Sequence, residues 1–310
     1  MSLIQNKKPT ISVIMPSYNR AYCIERALNS LLKQTFKNFE LIVIDNYSTD
    51  NTEEILNKYE KKIKILFYKI NNNGIIARSR NFGIKKSSGQ YLAFLDTDDW
   101  WKIDKLEISL DYLKNGSDLV YHDLYTVYKK NNIFKNLWKI RTRKLNIPIR
   151  KDLLINGNAI NNSSVVLSKK IFQSIGGFSE DPNLISSEDY DAWIRYSKKT
   201  EKFKKIGKTL GYYWQGGGNT SNLNLTIKSM NHILKNYNDE IYKYSKDGSA
   251  GFNYTISRSY YNVSDFKNSI KYASKLIFKK VPFILYCKSI VTILQSILFY
   301  LIYIFKVKIF

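Results

Sequence analysis

YLAFLDTDDW, residues 91–100, sets an apolar strand directly against three acids. Tyr91 to Leu95 reads as a buried strand, and Asp96, Asp98 and Asp99 crowd the point where it ends. Carboxylates this close repel one another and raise their own pKa values unless a cation sits among them. A divalent ion that prefers hard oxygen ligands, Mg2+ or Mn2+, resolves the conflict and in turn bridges the phosphates of a nucleotide diphosphate. The same acids also suit a helix-capping run before Lys102.

Upstream, short apolar runs alternate with amphipathic segments. Ile11–Met15, Phe39–Asp45 and Ile63–Tyr68 read as strands, while Ile24–Leu32, Thr52–Tyr59 and Ala77–Lys86 read as helices, the first with an apolar face of Ile24, Ala27, Leu28, Leu31 and Leu32. Strands separated by helices of this length predict an α/β fold, Rossmann-like, with a mostly parallel sheet flanked by helices and right-handed crossovers. Such sheets bind ligands at the carboxyl ends of their strands. Those ends carry Pro16, Ser17, Tyr18, Asn19 and Arg20, then Asp45, Asn46, Tyr47 and Ser48, then the acids of 96–99. No GxGxxG or P-loop pattern occurs, so neither a dinucleotide-binding fold nor a P-loop ATPase is supported.

Downstream the alternation loosens. A helix is expected over Lys102–Leu113, strands over Leu119–Val127 and Ile133–Ile140 around Asn131-Asn132, and another at Val165–Leu167. A helix follows at Glu188–Ser197, then short strands at Phe203–Ile206 and Tyr212–Trp214, and helices alone from Thr226 onward.

Three further groups could carry chemistry. Asp45 can accept the ring N–H of a pyrimidine base, with Pro16 to Asn19 at its other edge, or it can cap a turn. Arg80 suits bidentate phosphate binding and Asn81 can bind sugar or ribose hydroxyls, unless both lie on an exposed helix face. Gly74 and Gly83 serve turns or close packing. In Glu188-Asp189-Tyr190-Asp191, Asp189 is placed to take a proton from an attacking hydroxyl, with Glu188 and Asp191 positioning neighbouring groups, although the triplet also reads as a solvated acidic first turn.

Composition limits the partners. Among 310 residues, 49 Lys and Arg against 26 Asp and Glu give a formal charge of +23, which calls for an anionic membrane leaflet, phosphorylated substrates or nucleic acid. Tyr and Trp are interleaved with apolar core patterns rather than basic stripes, so nucleic acid is not expected. Cys23 and Cys287, far apart in a chain opening MSLIQNKKPT, fit a reducing cytoplasm. Ser289 to Phe305 carries no charge and is flanked by Lys288, Lys306 and Lys308. This run is short for a bilayer span and reads as a membrane-associating segment at the inner face of the plasma membrane, or as a buried helix. The expected division is a catalytic domain over 1–220 and a helical region over 221–310.

Taken together, the segments over roughly residues 9 to 220 resemble the family 2 glycosyltransferases of the GT-A fold. ISVIMPSYNR is similar to that family's opening strand and nucleotide loop, FELIVIDNYSTDNT to its second strand with the base-binding acid, and NNNGIIARSRNFGIKKSSGQYLAFLDTDDW to the run into its DxD motif. The resemblance implies an inverting, metal-dependent transfer of a hexose or N-acetylhexosamine from a nucleotide diphosphate sugar, a UDP-sugar above all, to a glycan or lipid-linked acceptor in bacterial lipopolysaccharide, capsule or related surface glycan synthesis. It assigns Asp98 and Asp99 to ribose and metal contacts with Asp96 nearby, places SVVLSKKIFQSIGGF beside donor sugar and acceptor, and puts the base at Asp189. Asn46 and Tyr47 stand where Asp and Gly are commoner, and Gln215 stands near a histidine of many relatives. A sugar nucleotidyltransferase is the alternative, but it needs a Gly-rich triphosphate loop that IMPSYNR does not offer.

Overall fold

A computed structural model describes residues 8–128, 139–140, 142–216, 222–277, 281 and 283–307, with side chains up to residue 302. The first strand, β1 (Ile11–Ser17), is buried along its whole length and leads into α1 (Ile24–Leu32). Ile24, Ala27, Leu28 and Leu31 of that helix are fully buried, each of the larger ones worth about 1.5–3 kcal/mol relative to exposure. Next come β2 (Phe39–Asp45), α2 (Thr52–Glu60), β3 (Ile65–Lys69), α3 (Ile76–Lys86) and β4 (Tyr91–Phe94). β1 pairs in parallel with β2 and β4, and β2 with β3. This is the expected parallel half, with all three acid- or amide-bearing ends on one rim.

Gly83 explains how tightly α3 lies on it. A Cβ there would meet Ile44 Cδ1 at 2.5 Å and Ile14 Cγ2 at 3.0 Å, so only glycine lets the helix approach β1 and β2 this closely. Gly74, at φ +75°, makes the turn before α3.

Beyond β4 the sheet becomes mixed, where the sequence alternation also loosens. β5 (Trp100–Trp101), α4 (Lys105–Lys114), β6 (Leu119–Tyr128), β7 (Lys139–Ile140), α5 (Ile149–Asn156), β8 (Val166–Ser168), α6 (Lys169–Ser174), α7 (Glu188–Tyr196) and β9 (Phe203–Gln215) follow. The order is β3-β2-β1-β4-β8-β6-β9-β5 with β7 on β6; β8 runs antiparallel to both β4 and β6, and β6 parallel to β9. Phe203–Ile206 and Tyr212–Trp214, expected as two strands, are one. Irregular register around Asp123 absorbs the Gly207–Lys208 interruption that looked like a break. Of the expected Ile133–Ile140 strand, only its last two residues lie within the described residues. The two-residue β5 and the helices α5 and α6 carry too little periodicity to be read from sequence.

The remaining helices are α8 (Leu223–Asn236), α9 (Asn238–Tyr244), α10 (Ala250–Asn262), α11 (Phe266–Ile277) and α12 (Phe283–Val307). Contacts divide the chain into two units: residues 1–145, 159–180 and 195–217 form the first, and 146–158, 181–194 and 218–310 the second. The sheet and its apolar core belong to the first. In the second, α12 packs on α10 and α11 through Ser289, Thr292 and Ser296, all buried, and Ser296 Oγ donates to Ser269 Oγ at 3.0 Å. Its outward face is apolar: Phe283, Ile284, Val291, Leu294 and every residue from Ile297 to Ile302 are exposed. The helix is 25 residues long, longer than its uncharged run, because it starts at Phe283.

Candidate active site

The strand ends of the first unit are joined by side-chain hydrogen bonds. Asp45, buried at the end of β2, accepts from the Ser48 backbone N–H at 2.7 Å and from Ser48 Oγ at 2.5 Å. Ser48 Oγ also accepts from the Asn19 N–H, and Asn19 Oδ1 accepts from the Thr49 N–H, both at 2.8 Å. Arg20 N–H donates to Thr52 Oγ1. Asn46 Oδ1 accepts from the Asn72 N–H at 2.9 Å. These bonds hold Asn19 and Tyr47 in left-handed backbone, at φ 50° and 55°. Tyr18, Tyr22 and Tyr47 stand exposed around this rim, and Pro16 and Ser17 are buried beneath it. Asp45 is thus already a turn acceptor; its remaining lone pairs are what a base could use.

At the end of β4 the three acids diverge in role. Asp96 is paired with Arg80, 2.8 Å from the guanidinium. Arg80 is buried and lies over the Phe178 ring, so it is not on an exposed face. Asn81 is likewise engaged: its amide N donates to Phe178 O and Glu180 Oε1 at 2.9 Å, and its Oδ1 accepts from Phe178 N–H. A phosphate or ribose would share or displace these partners.

Asp98 and Asp99 carry the electrostatic tension. Burial, then the neighbouring Asp96 charge, pushes Asp98 up to about 6, against the pull of Arg20 and Arg26. Asp99 is buried and raised well above the usual carboxylate range by desolvation, then by Asp98 and Asp96. One Asp99 oxygen accepts from the Trp214 N–H at 2.9 Å at the end of β9; Oδ2, buried, has no hydrogen-bond partner among the described residues, and neither has Ser17 Oγ. Burial, then the Asp98 charge, also raises the Cys23 thiol to about 11.

A divalent cation fits this chemistry. Among the described residues no three His, Cys, Asp or Glu side chains converge as a ready-made cage, and Mg-type sites need only one or two carboxylates when substrate phosphates supply the other oxygens. Asp98 and the unpartnered oxygen of Asp99 meet that requirement.

The residue sequence reasoning missed is Arg26. Its guanidinium lies between the Trp214 ring, 4.3 Å away, and the Trp100 ring, 4.7 Å away, and its charge acts on Asp98. A hint was present: a cation in the first turn of a helix opposes the helix dipole, so an arginine there calls for another reason.

Glu188, Asp189 and Asp191 begin α7 in the second unit. Asp191 is buried and accepts from Tyr237 Oη at 2.8 Å, and Glu188 is buried too. Asp189 is half-buried and lines a cavity of about 150 Å³. Of the three, only Asp189 opens onto that space.

The profile of the family "Glycosyl transferase family 2" matches residues 12–176. TuaG of Bacillus subtilis, named as a teichuronic acid biosynthesis glycosyltransferase, is 31% identical over 198 residues, covering 63% of this chain and 74% of TuaG. Escherichia coli WfgD, named UDP-Glc:alpha-D-GlcNAc-diphosphoundecaprenol beta-1,3-glucosyltransferase, is 33% identical over 61% of this chain and 70% of its own. The chain spans 31% of a longer glycosyltransferase of Rickettsia conorii, at 34% identity over 60% of this chain. Among solved structures, S. aureus TarS 1–349 in complex with UDP has a TM-score of 0.56 at 20% identity, over 88% of this chain and 75% of that one. Pyrobaculum calidifontis mannosyltransferase PcManGT, in complex with GDP-Man and Mn2+, has a TM-score of 0.54 at 16% identity, over 87% and 75%. These two share the fold, the GT-A arrangement of a parallel-dominated sheet flanked by helices.

Proposed function

This chain belongs to glycosyl transferase family 2, and from that premise we propose that it is a metal-dependent, inverting transferase moving a hexose or N-acetylhexosamine from a UDP-sugar to a lipid-linked glycan in surface polysaccharide synthesis. The observation that carries the reading is the buried Asp98–Asp99 pair at the end of β4, with one Asp99 oxygen unpartnered among the described residues. The UDP-sugar and the lipid diphosphate acceptor in the name of WfgD support donor and acceptor class.

In this reading Asp98 and Asp99 would hold Mn2+ or Mg2+, which when bound would stabilise the departing diphosphate as a Lewis acid. The rim of Pro16 to Arg20, with Asp45 and Asn46, receives the nucleotide, Asp45 accepting from the base. Arg20 and Arg26 add positive charge beside Asp98, where the diphosphate's negative charge grows as the glycosidic bond breaks. Arg80 holds Asp96 as an ion pair, keeping a third carboxylate oriented, and Asn81 fixes the Phe178 backbone. Asp189 takes the proton of the acceptor hydroxyl as its oxygen attacks the anomeric carbon opposite the leaving group, which inverts the configuration. Glu188 and Asp191 position the turn that carries it.

The second unit favours a membrane location. Phe283–Ile302 is 20 residues with mean hydropathy 1.7 and mostly exposed, and 20 residues of helix extend about 30 Å, the thickness of a bilayer core. Lys267, Lys271 and Lys275 are exposed at successive turns of α11, as is Lys288 on α12, suiting an anionic cytoplasmic leaflet.

The test is thermal stabilisation by UDP, UDP-glucose, UDP-N-acetylglucosamine and GDP-mannose with and without Mn2+, followed by radiolabel transfer from the best donor to membrane lipid extract. Stabilisation by a uridine ligand only with metal, and label entering lipid, supports the reading. Consumption of a nucleoside triphosphate with a sugar phosphate instead would make the chain a nucleotidyltransferase.

A further inference from the structure

Length alone would let α12 cross a bilayer, but the helices it is packed on argue against crossing. Ser257 of α10, Ser269 of α11 and Ser296 of α12 are all fully buried; Ser257 Oγ donates to Ser269 O at 2.9 Å and Ser296 Oγ to Ser269 Oγ at 3.0 Å. Phe299 stacks on Phe266 at 6.1 Å. A step forward on α12 is thus a step back on α11, so the two helices run antiparallel. This register sets Lys271 level with Leu294 and Lys275 level with Ile290, near the middle of the apolar window Phe283–Ile302. Both lysines, with Lys267, are exposed on the side of α11 away from the buried Ser269, Ala273 and Leu276. Were α12 to span, these ammoniums would be carried to mid-depth of the hydrocarbon, where a charged side chain is expensive. Arg258 of α10, which donates to Gln295 Oε1 at 3.4 Å, would go with them.

Laid along a membrane surface, the same charges meet phosphates instead. Asp265 is the one acid in residues 250–310, against nine Lys and Arg. Its carboxylate is taken up at the start of α11, accepting from the Asn268 N–H at 3.1 Å. A flat protein partner would cover one face of α12, whereas each residue from Ile297 to Ile302 is exposed, which suits fluid hydrocarbon. The three helices also lie outside the 12–176 stretch common to the family. We propose that α12 is a monotopic anchor that lies in the plane of an anionic leaflet and does not cross it. Val291, Leu294 and Leu298 sink past the headgroups, and Lys267, Lys271 and Lys275 of α11 stay at phosphate level. Lys288, one turn before Val291, reaches that level along its own stem. The proposal rests on the membrane location given above and adds its topology.

The full chain in membranes of an expressing bacterium tests it, with a cysteine added after Phe310 through a short polar linker and Cys287→Ser in the background; Cys23 is buried. A membrane-impermeant maleimide labels the added cysteine in inverted vesicles and not in spheroplasts. Labelling in spheroplasts alone means that α12 crosses, which overturns the proposal and leaves the membrane location standing. Purified protein gives a second readout. Lys267→Gln, Lys271→Gln and Lys275→Gln each weaken binding to phosphatidylglycerol vesicles by about fivefold, with binding to phosphatidylcholine vesicles and the thermal transition unchanged. Indifference of anionic-vesicle binding to all three substitutions places α11 away from the headgroups and also overturns the proposal. Protein that fractionates as soluble and binds neither kind of vesicle, alone or paired with a second copy, removes the membrane location itself and this topology with it.

Discussion

The strand ends of the first unit and the last helix of the second bury different polar groups. In the first, apolar strands are covered and carboxylates at strand ends are taken from water with them, Asp99 with one oxygen unpartnered among the described residues. In the second, α12 covers hydroxyls and shows its apolar residues: Ser289, Thr292 and Ser296 are buried while Val291, Leu294 and Leu298 are exposed. A buried, unsatisfied carboxylate costs stability and persists where a ligand offsets it. A buried hydroxyl on a helix satisfies itself on the preceding turn, as Ser289 does on Leu285 O and Thr292 on Lys288 O. Small residues at a helix interface with large apolar ones outside is the pattern of helices surrounded by lipid. The contrast separates strand ends that take carboxylates from water from a helix that leaves its large apolar residues uncovered.

That contrast can be broken at four points. Asp99→Asn lowers transfer on the order of 10²- to 10³-fold and removes Mn2+-dependent stabilisation by UDP; Asp189→Asn lowers transfer comparably while donor binding persists. Near-normal turnover in either variant would strip that carboxylate of its role. Next in size, replacing Val291 and Leu294 by Asp reduces sedimentation with anionic vesicles about tenfold, and turnover on a soluble acceptor stays within about twofold. Unchanged vesicle binding would mean the face is covered by something other than lipid.

The third is a pH dependence. Asp98 titrates near 6 in the fold and near about 3.9 in an unfolded chain. Between those values the folded state holds more protons, so without metal its stability falls as pH rises through the window, and below it the penalty is absent. Asp98→Asn flattens that part of the melting curve, and Mn2+ with UDP restores stability above pH 6 in the native protein but not in the variant. A native profile identical to that of the variant would show that Asp98 carries no such tension. Smallest of all, Ser296→Ala costs about 1 kcal/mol in denaturant unfolding through loss of the Ser269 bond; a larger loss would mean the stripe is a core rather than a seam.

Much of the first hundred residues was legible because strands and helices there each bury one continuous apolar face. The reading of α1 and β2 agrees with the structure to the residue, and the acids of 96–99 follow their strand as expected. From β5 onward, local pattern fails. β8 is three residues long, and nothing in it states that it runs antiparallel between β4 and β6. Arg26 was hidden because its ring partners, Trp100 and Trp214, are distant in sequence.

Sequence alone determined the α/β class, the strand-end positions of the acids and the apolar character of the C-terminal helix, since each depends on residues within a few positions of one another. Tertiary structure decided which polar atoms are spent and which are left over: that Asp96 goes to Arg80, that Asp191 goes to Tyr237, that an oxygen of Asp99 goes unmatched, and that α12 turns its hydroxyls inward. Those outcomes depend on partners brought from far along the chain, and a hydrogen bond has no existence until both of its ends are in place.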